Sequence, residues 1–156
     1  MAWRALLGTY ISVRERLSEE LESERGLPLT WYELLLRLYH APDQRIRMQD
    51  LASGAFLSKS GLTQAITAME AAGLVTREPV PGDRRGAYAT ITASGRRVFR
   101  RAAPVHLRGL QEHFGAHLSS EEAQSIVRGL NRVGAGTIGE ARWRAWGQDE
   151  LIPGAR

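Results

Sequence analysis

The sequence predicts a mainly α (α+β) fold in which a helix–turn–helix and a two-stranded hairpin lie between long N- and C-terminal helices. Three observations predict it. Apolar residues recur at helical spacing over most of the chain. In the middle the period shortens over two stretches, LVTRE (74–78) and AYATIT (87–92), which read as strands. Two short helical stretches separated by a turn stand immediately ahead of them. Helix, turn, helix, hairpin is the order of a winged helix-turn-helix lobe, with the hairpin as a two-stranded wing.

The first helix runs from Trp3 to about Leu21. Its apolar positions are Trp3, Leu6, Leu7, Tyr10, Val13, Leu17 and Leu21, near heptad in spacing, with Arg14 interrupting the stripe. Arg25-Gly26 and Pro28 end it, and Thr30 is the expected cap of the next helix. Residues 31–39, WYELLLRLY, are apolar nearly all round, as a short buried central helix would be. Ala41-Pro42-Asp43 breaks that helix. A short helix from Met48 to about Ser53 leads through Gly54 and Leu57 to Ser58, the N-cap of the stretch 59–72, and Gly73 closes that stretch. The loop PVPGDRRG joins the two strands. Thr92 caps a long helix from about Ser94 to Leu118, with a bend expected at Pro104. Ser119-Ser120-Glu121-Glu122 starts another helix that ends near Val133-Gly134. The remaining tail carries Trp143 and Trp146 and has no clear period. Four regions result: a first helix and central helix (1–40), the winged lobe (41–93), long C-terminal helices (94–134) and a Gly-rich tail (135–156).

Composition excludes several functions. The 156 residues are 43% hydrophobic and 24% charged, ordinary for a globular chain. Without cysteine there is no disulfide framework, thiolate zinc site, cysteine nucleophile or cysteine redox switch. No signal-peptide pattern and no membrane-length apolar run occurs, so a soluble, cytoplasmic protein with no membrane association is expected. A phosphate-binding glycine loop, a nucleophile elbow and a His-Glu-x-x-His motif are all missing, which argues against an enzyme, and no cofactor is implied. The net charge is +4, and every basic residue except Lys59 is arginine. Glu19, Glu20, Glu22 and Glu24 crowd one early stretch, and Arg84, Arg85, Arg96, Arg97, Arg100 and Arg101 crowd the middle. A basic middle beside an acidic flank suggests one surface facing a polyanion.

As a helix at about 100° per residue, 59–72 has Leu62, Ala65, Ile66 and Met69 on one face and Ser60, Thr63, Gln64 and Thr67 on the other. Seated on its apolar face, it offers hydroxyls and an amide to the base edges of a major groove, where Gln pairs bidentately with adenine. Lys59 lies toward the flank, where a phosphate would be. An ordinary surface helix has a polar face too. The loop tilts the balance, because Arg84 and Arg85 beside Asp83 are expected at the hairpin tip, from which Arg enters a narrow minor groove. Asp83 can hold the fork of one Arg in place.

Residues 51–97 carry a combined pattern: the Leu51-Ala52 start, the Leu57-Ser58 turn, Gly73-Leu74-Val75 leading to Arg77, the Asp83-x-Arg85 wing and the ITASGR junction at 91–96. This resembles the winged helix of MarR-family transcriptional regulators. LPLTWYELLLRL is similar to the family's second helix, so the resemblance covers about residues 29–133. It implies a homodimer, with the terminal helices intertwined and two winged lobes straddling a pseudo-palindromic operator on double-stranded DNA. Half-sites would lie about one helical turn apart. It also implies a repressor that releases DNA when a small aromatic or anionic effector binds, by reciprocal coupling. Arg77 joins Lys59, Arg84 and Arg85 as an expected phosphate contact. The sequence departs from the family in its recognition helix: Gln64, Ala68 and Ala72 stand where Arg or Lys is common, and Gly61 is an unusual choice within a helix.

For an effector, Arg14, Trp31 and Tyr32 are the candidate lining residues, aromatic walls with one cation suiting an aromatic acid. Equally, both rings serve as plain core and Arg14 as a surface salt bridge. Two alternatives stay open. One is a winged helix used as a protein–protein module, which calls for an apolar outer face. The other is a metal-responsive regulator built on His106, His113 and His117, which share a face of the expected 94–118 helix.

Overall fold

The computed structural model describes residues 1–53 and 57–145; the side chains of Ser53, Arg84, Arg142 and Ala145 lie outside that description. So do the expected turn at Gly54 and the tail from Trp146 onward. The chain order is α1 (Ala2–Arg25), α2 (Leu29–His40), β1 (Arg45–Arg47), α3 (Met48–Ser53), α4 (Lys59–Ala71), β2 (Val75–Val80), β3 (Asp83–Ile91), α5 (Ala93–His113), α6 (Ser120–Ile138) and α7 (Glu140–Ala145). It forms two compact units, Leu17–His106 and Met1–Arg16 with the residues from Leu107 on. Among the described residues no helix is long and apolar enough to cross a membrane.

The first of these units contains the winged lobe. Its core is the central helix, as the all-round apolar pattern requires: Leu29, Tyr32, Leu34, Leu35, Leu36 and Leu38 are buried in α2. Leu17 and Leu21, Leu62, Ile66 and Met69, Val75 and Ile91, and Phe99 and Val105 close around it. Each such side chain removed from water contributes roughly 1.5–3 kcal/mol. Thr30 is not the cap of α2. Pro28 holds the N-cap position, and its carbonyl accepts from the Trp31 and Tyr32 amides, so Thr30 falls inside the first turn. Pro28 suits this boundary because it has no amide to leave unpaired.

Ser58 does cap α4, its hydroxyl accepting from the Gly61 amide at 3.1 Å. At the other end Gly73, at φ +70°, forms a Schellman turn: the Leu74 amide reaches the Met69 carbonyl and the Gly73 amide the Glu70 carbonyl. That reversal feeds the chain directly into β2. Thr92 joins the two ends of the hairpin region. Its Oγ1 donates to the Gly73 carbonyl (2.7 Å) and accepts from the Gly95 amide (3.0 Å) at the start of α5. Thr92→Ala is therefore expected to cost about 1–2 kcal/mol, read as a lower urea midpoint at unchanged slope. An unmoved midpoint would show that the cap contributes nothing.

The expected two-stranded wing is present as the β2–β3 hairpin, and β1 adds a third strand to it. The sheet has three antiparallel strands in the order β1-β3-β2, with Arg45 opposite Thr90, Ile46 opposite Ala89 and Arg47 opposite Tyr88. The strands of the wing also run further than their alternation indicated. The turn is confined to Pro81-Gly82, and the register jumps from Pro79↔Ala87 to Val80↔Asp83. Arg84, Arg85 and Gly86 thus sit in a bulge on β3, just past the tip rather than at it.

In the other unit, Ser119 and Glu122 form a capping box at the start of α6. Two helix ends differ from expectation. The helix containing Pro104 stops at His113, and Gly115–His117 is a separate 3-10 turn. Conversely, α6 continues past Gly134 to Ile138. Gly134 does not end the helix. The Trp143 ring of α7 lies against it where a Cβ would clash, and the Trp143 indole N–H donates to Asn131 Oδ1. The small residue serves a close approach.

Candidate nucleic-acid interface

Helix α4 presents the two faces its periodicity predicts. Leu62, Ile66 and Met69 are buried, while Lys59, Ser60, Thr63, Gln64 and Thr67 are exposed. Gln64 has no partner among the described residues, so its amide is available to both donate and accept. Ser60 Oγ lies 3.1 Å from Ser58 Oγ. The threonines are engaged differently from the sequence expectation: Thr63 Oγ1 donates to the Lys59 carbonyl (3.0 Å) and Thr67 Oγ1 to the Thr63 carbonyl (2.8 Å).

Arg77 projects from β2 onto this helix. Its Nη2 donates to Thr67 Oγ1 (2.7 Å) and to the Thr63 carbonyl (3.2 Å), and its Nη1 pairs with Glu70 Oε2 at 3.3 Å. Glu70 Oε1 also accepts from the Arg77 backbone amide. The guanidinium is thereby pinned across α4 and ties it to β2.

Beside α4 a cavity of about 210 Å³ is lined by Arg47, Lys59 and Thr63 with Asp83, Arg85 and Gly86 of the wing. Asp83 organises the bulge. Its Oδ1 accepts from the Arg85 amide (3.1 Å) and the Gly86 amide (3.0 Å), and its Oδ2 meets Arg47 Nη1 at 3.5 Å. Among the described side chains, Asp83 holds the wing's backbone and the guanidinium of Arg47. Arg85 is exposed. The Arg84 side chain lies outside the described residues.

Sequence reasoning missed Arg47 and Arg45. The Arg45 guanidinium stands 4.8 Å and that of Arg47 5.8 Å from the Tyr88 ring centroid, a cation–π pairing that orients both. The Tyr88 hydroxyl and Asp83 hold Arg47 even more firmly in its charged form. The signal was the RIR triplet at 45–47, which puts two cations on one face of a strand. Three residues are too few to reveal a period.

Of the effector candidates, Arg14 stacks over the Tyr10 ring at 5.9 Å, and Trp31 is half-buried. Tyr32 is core, 2% exposed, with its ring 4.4 Å from that of His106 and 5.6 Å from that of Phe99. Burial pushes its phenol up to about 12. The histidine set does not assemble on one helix, because α5 ends at His113 and His117 belongs to the following turn.

A helix with an apolar seat and a polar outer face, flanked by a wing carrying ordered cations, defines a winged-helix DNA-binding protein. A model of the MarR family matches residues 25–86. The structure superimposes on AbsC, a MarR family transcriptional regulator from Streptomyces coelicolor, with TM-score 0.81 at 35% identity, covering 88% of this chain and 93% of that one. It superimposes on Sco3205, another MarR family transcriptional regulator from Streptomyces coelicolor, in complex with DNA, with TM-score 0.80 at 32% identity over 86% and 85% of the two chains. The HTH-type transcriptional regulator MhqR of Bacillus subtilis (strain 168) is 29% identical over 80% of this chain and 83% of its own length. The chain belongs to the MarR family of DNA-binding transcriptional regulators, which are not enzymes.

Proposed function

We propose that the protein is a homodimeric repressor that binds a pseudo-palindromic operator through α4 and the wing. The observation that carries the reading is the exposed Ser60, Thr63, Gln64 and Thr67 face of α4 beside the cavity shared by Arg47, Lys59 and Arg85. A protein-docking winged helix would carry apolar residues on that face, and this one does not. Gln64 reads a base, Lys59, Arg85 and Arg84 meet phosphate or enter the minor groove, and Asp83 shapes the wing. Arg77, pinned on α4, sets the helix rather than a phosphate. Gln64→Ala is expected to relax preference at one base position at a cost of about 1–3 kcal/mol, measured by competition among single-base operator variants. Unchanged preference at every position would remove Gln64 from the reading.

A second copy of the chain accounts for the apolar side chains left exposed in the unit of the terminal helices. Trp3 is 71% exposed and Val133 65%, with Leu6, Leu7, Tyr10, Ile11 and Val127 also open. A row of this kind on α1 exceeds what a monomer ordinarily leaves to water. The family resemblance supports the coupling of DNA release to a small aromatic or anionic effector. Of the two candidate rings Trp31 is the one with surface to offer it, Tyr32 being sealed in the core.

Selection of bound sequences from a random duplex pool at physiological salt tests the whole reading. A pseudo-palindrome with half-sites about one turn apart is expected. Salt-sensitive retention without enrichment would overturn it. Titration of a benzoate-type acid against the selected operator then tests the effector, the expected result being weaker DNA binding.

A further inference from the structure

Thr63 and Thr67 stand one turn apart on the exposed face of α4, and each hydroxyl is bonded back to the helix. Each spends its single proton on a helix carbonyl, and Thr67 Oγ1 in addition accepts from Arg77 Nη2 at 2.7 Å. A threonine with its hydroxyl bonded back to the helix leaves its γ-methyl as the group that meets an approaching surface. In the major groove only thymine presents a methyl group of its own.

We propose that Thr63 and Thr67 select thymine by methyl–methyl contact at two positions of each half-site, and that Arg77 is the positioning residue that keeps the Thr67 hydroxyl turned away. The proposal rests on the reading of α4 as the major-groove helix. Side chains four residues apart on a helix are separated by about 5–6 Å. Successive bases on one strand rise about 3.4 Å, so the two methyls reach different base positions. The preference is apolar. It accounts for a recognition helix that needs few cations, with hydrogen-bonding readout left to Gln64.

The probe is the duplex that the wild-type protein enriches from a random pool, with single thymines replaced by deoxyuridine, which removes only the methyl. Replacement at each of the two positions is expected to weaken wild-type binding about fourfold, the scale of one methyl buried from water. T63S and T67S keep the back-bonded hydroxyl and lose the methyl. Each should bind the thymine duplex about fourfold more weakly and ignore deoxyuridine at its own position. T67V keeps a methyl and should retain the sensitivity. Arg77→Ala should lower the deoxyuridine effect at the Thr67 position more than at the Thr63 position, which loss of stability alone would not do. Full affinity for the deoxyuridine duplexes, while Gln64→Ala and Arg85→Ala still weaken binding, overturns methyl readout and leaves the interface standing. If those two variants also bind normally, or if no sequence is enriched, the reading of α4 fails and the proposal fails with it.

Discussion

Arg85→Ala is expected to weaken operator binding about tenfold at physiological salt and to lower the slope of log K against log salt by about 1. The side chain is exposed, yet its backbone is not loose: Asp83 Oδ1 holds the Arg85 and Gly86 amides, which fixes the direction in which the bulge presents the guanidinium. A charge held in place loses less conformational entropy on meeting a phosphate than one on a free loop. Arg47→Ala should match it, for two reasons. It removes a cation from the same cavity, and it removes the pairing at 3.5 Å that steadies Asp83. The double variant is then expected to lose less than the two singles predict, because part of the Arg47→Ala loss already runs through Asp83 to Arg85. Titrations at four or five salt concentrations check this, with thermal stability as control. A slope that Arg85→Ala leaves unchanged would take the wing out of the interface, and strict additivity would remove Asp83 as the link.

The parts of this site that the sequence made legible are the ones that depend on local order. The two faces of α4 follow from its period, and Ser58, Gly73, Thr92 and the Ser119/Glu122 box declare their helix ends through side-chain chemistry that needs no tertiary contact. What stayed hidden depends on residues far apart in the chain. β1 exists because Arg45–Arg47 finds an open edge on β3, some 40 positions later. The contacts of Arg77 with Glu70 and Thr67 lie on a neighbouring element, and no local pattern declares them. Gly134 reads as a helix stop and is instead the seat of Trp143. Thr30 lost its cap to Pro28, where two acceptable boundary residues stood two positions apart and the backbone used the first.

Lowering the pH from 7 to about 5 is expected to destabilise the protein through His106. The imidazole packs against Tyr32 at 4.4 Å between ring centroids, its Nδ1 is buried with no partner among the described residues, and burial pushes its pKa down to about 4 from 6.5. The neighbouring phenol cannot compensate, since burial pushes it up to about 12 and it stays neutral throughout. In this window the unfolded chain binds a proton that the native chain refuses, so stability rises with pH between about 4 and 6.5 and falls on acidification. The full difference is worth roughly 3 kcal/mol. Glu122 acts in a lower range: its carboxyl is held below the ordinary value by the Ser119 hydroxyl and amide, so its contribution is lost only as pH drops through the carboxylate range. His106→Phe keeps a ring against Tyr32 and removes the proton, so it should flatten urea midpoints between pH 7 and 5 at fixed protein concentration. A variant as acid-sensitive as the wild type over that interval would show that the proton is taken up elsewhere.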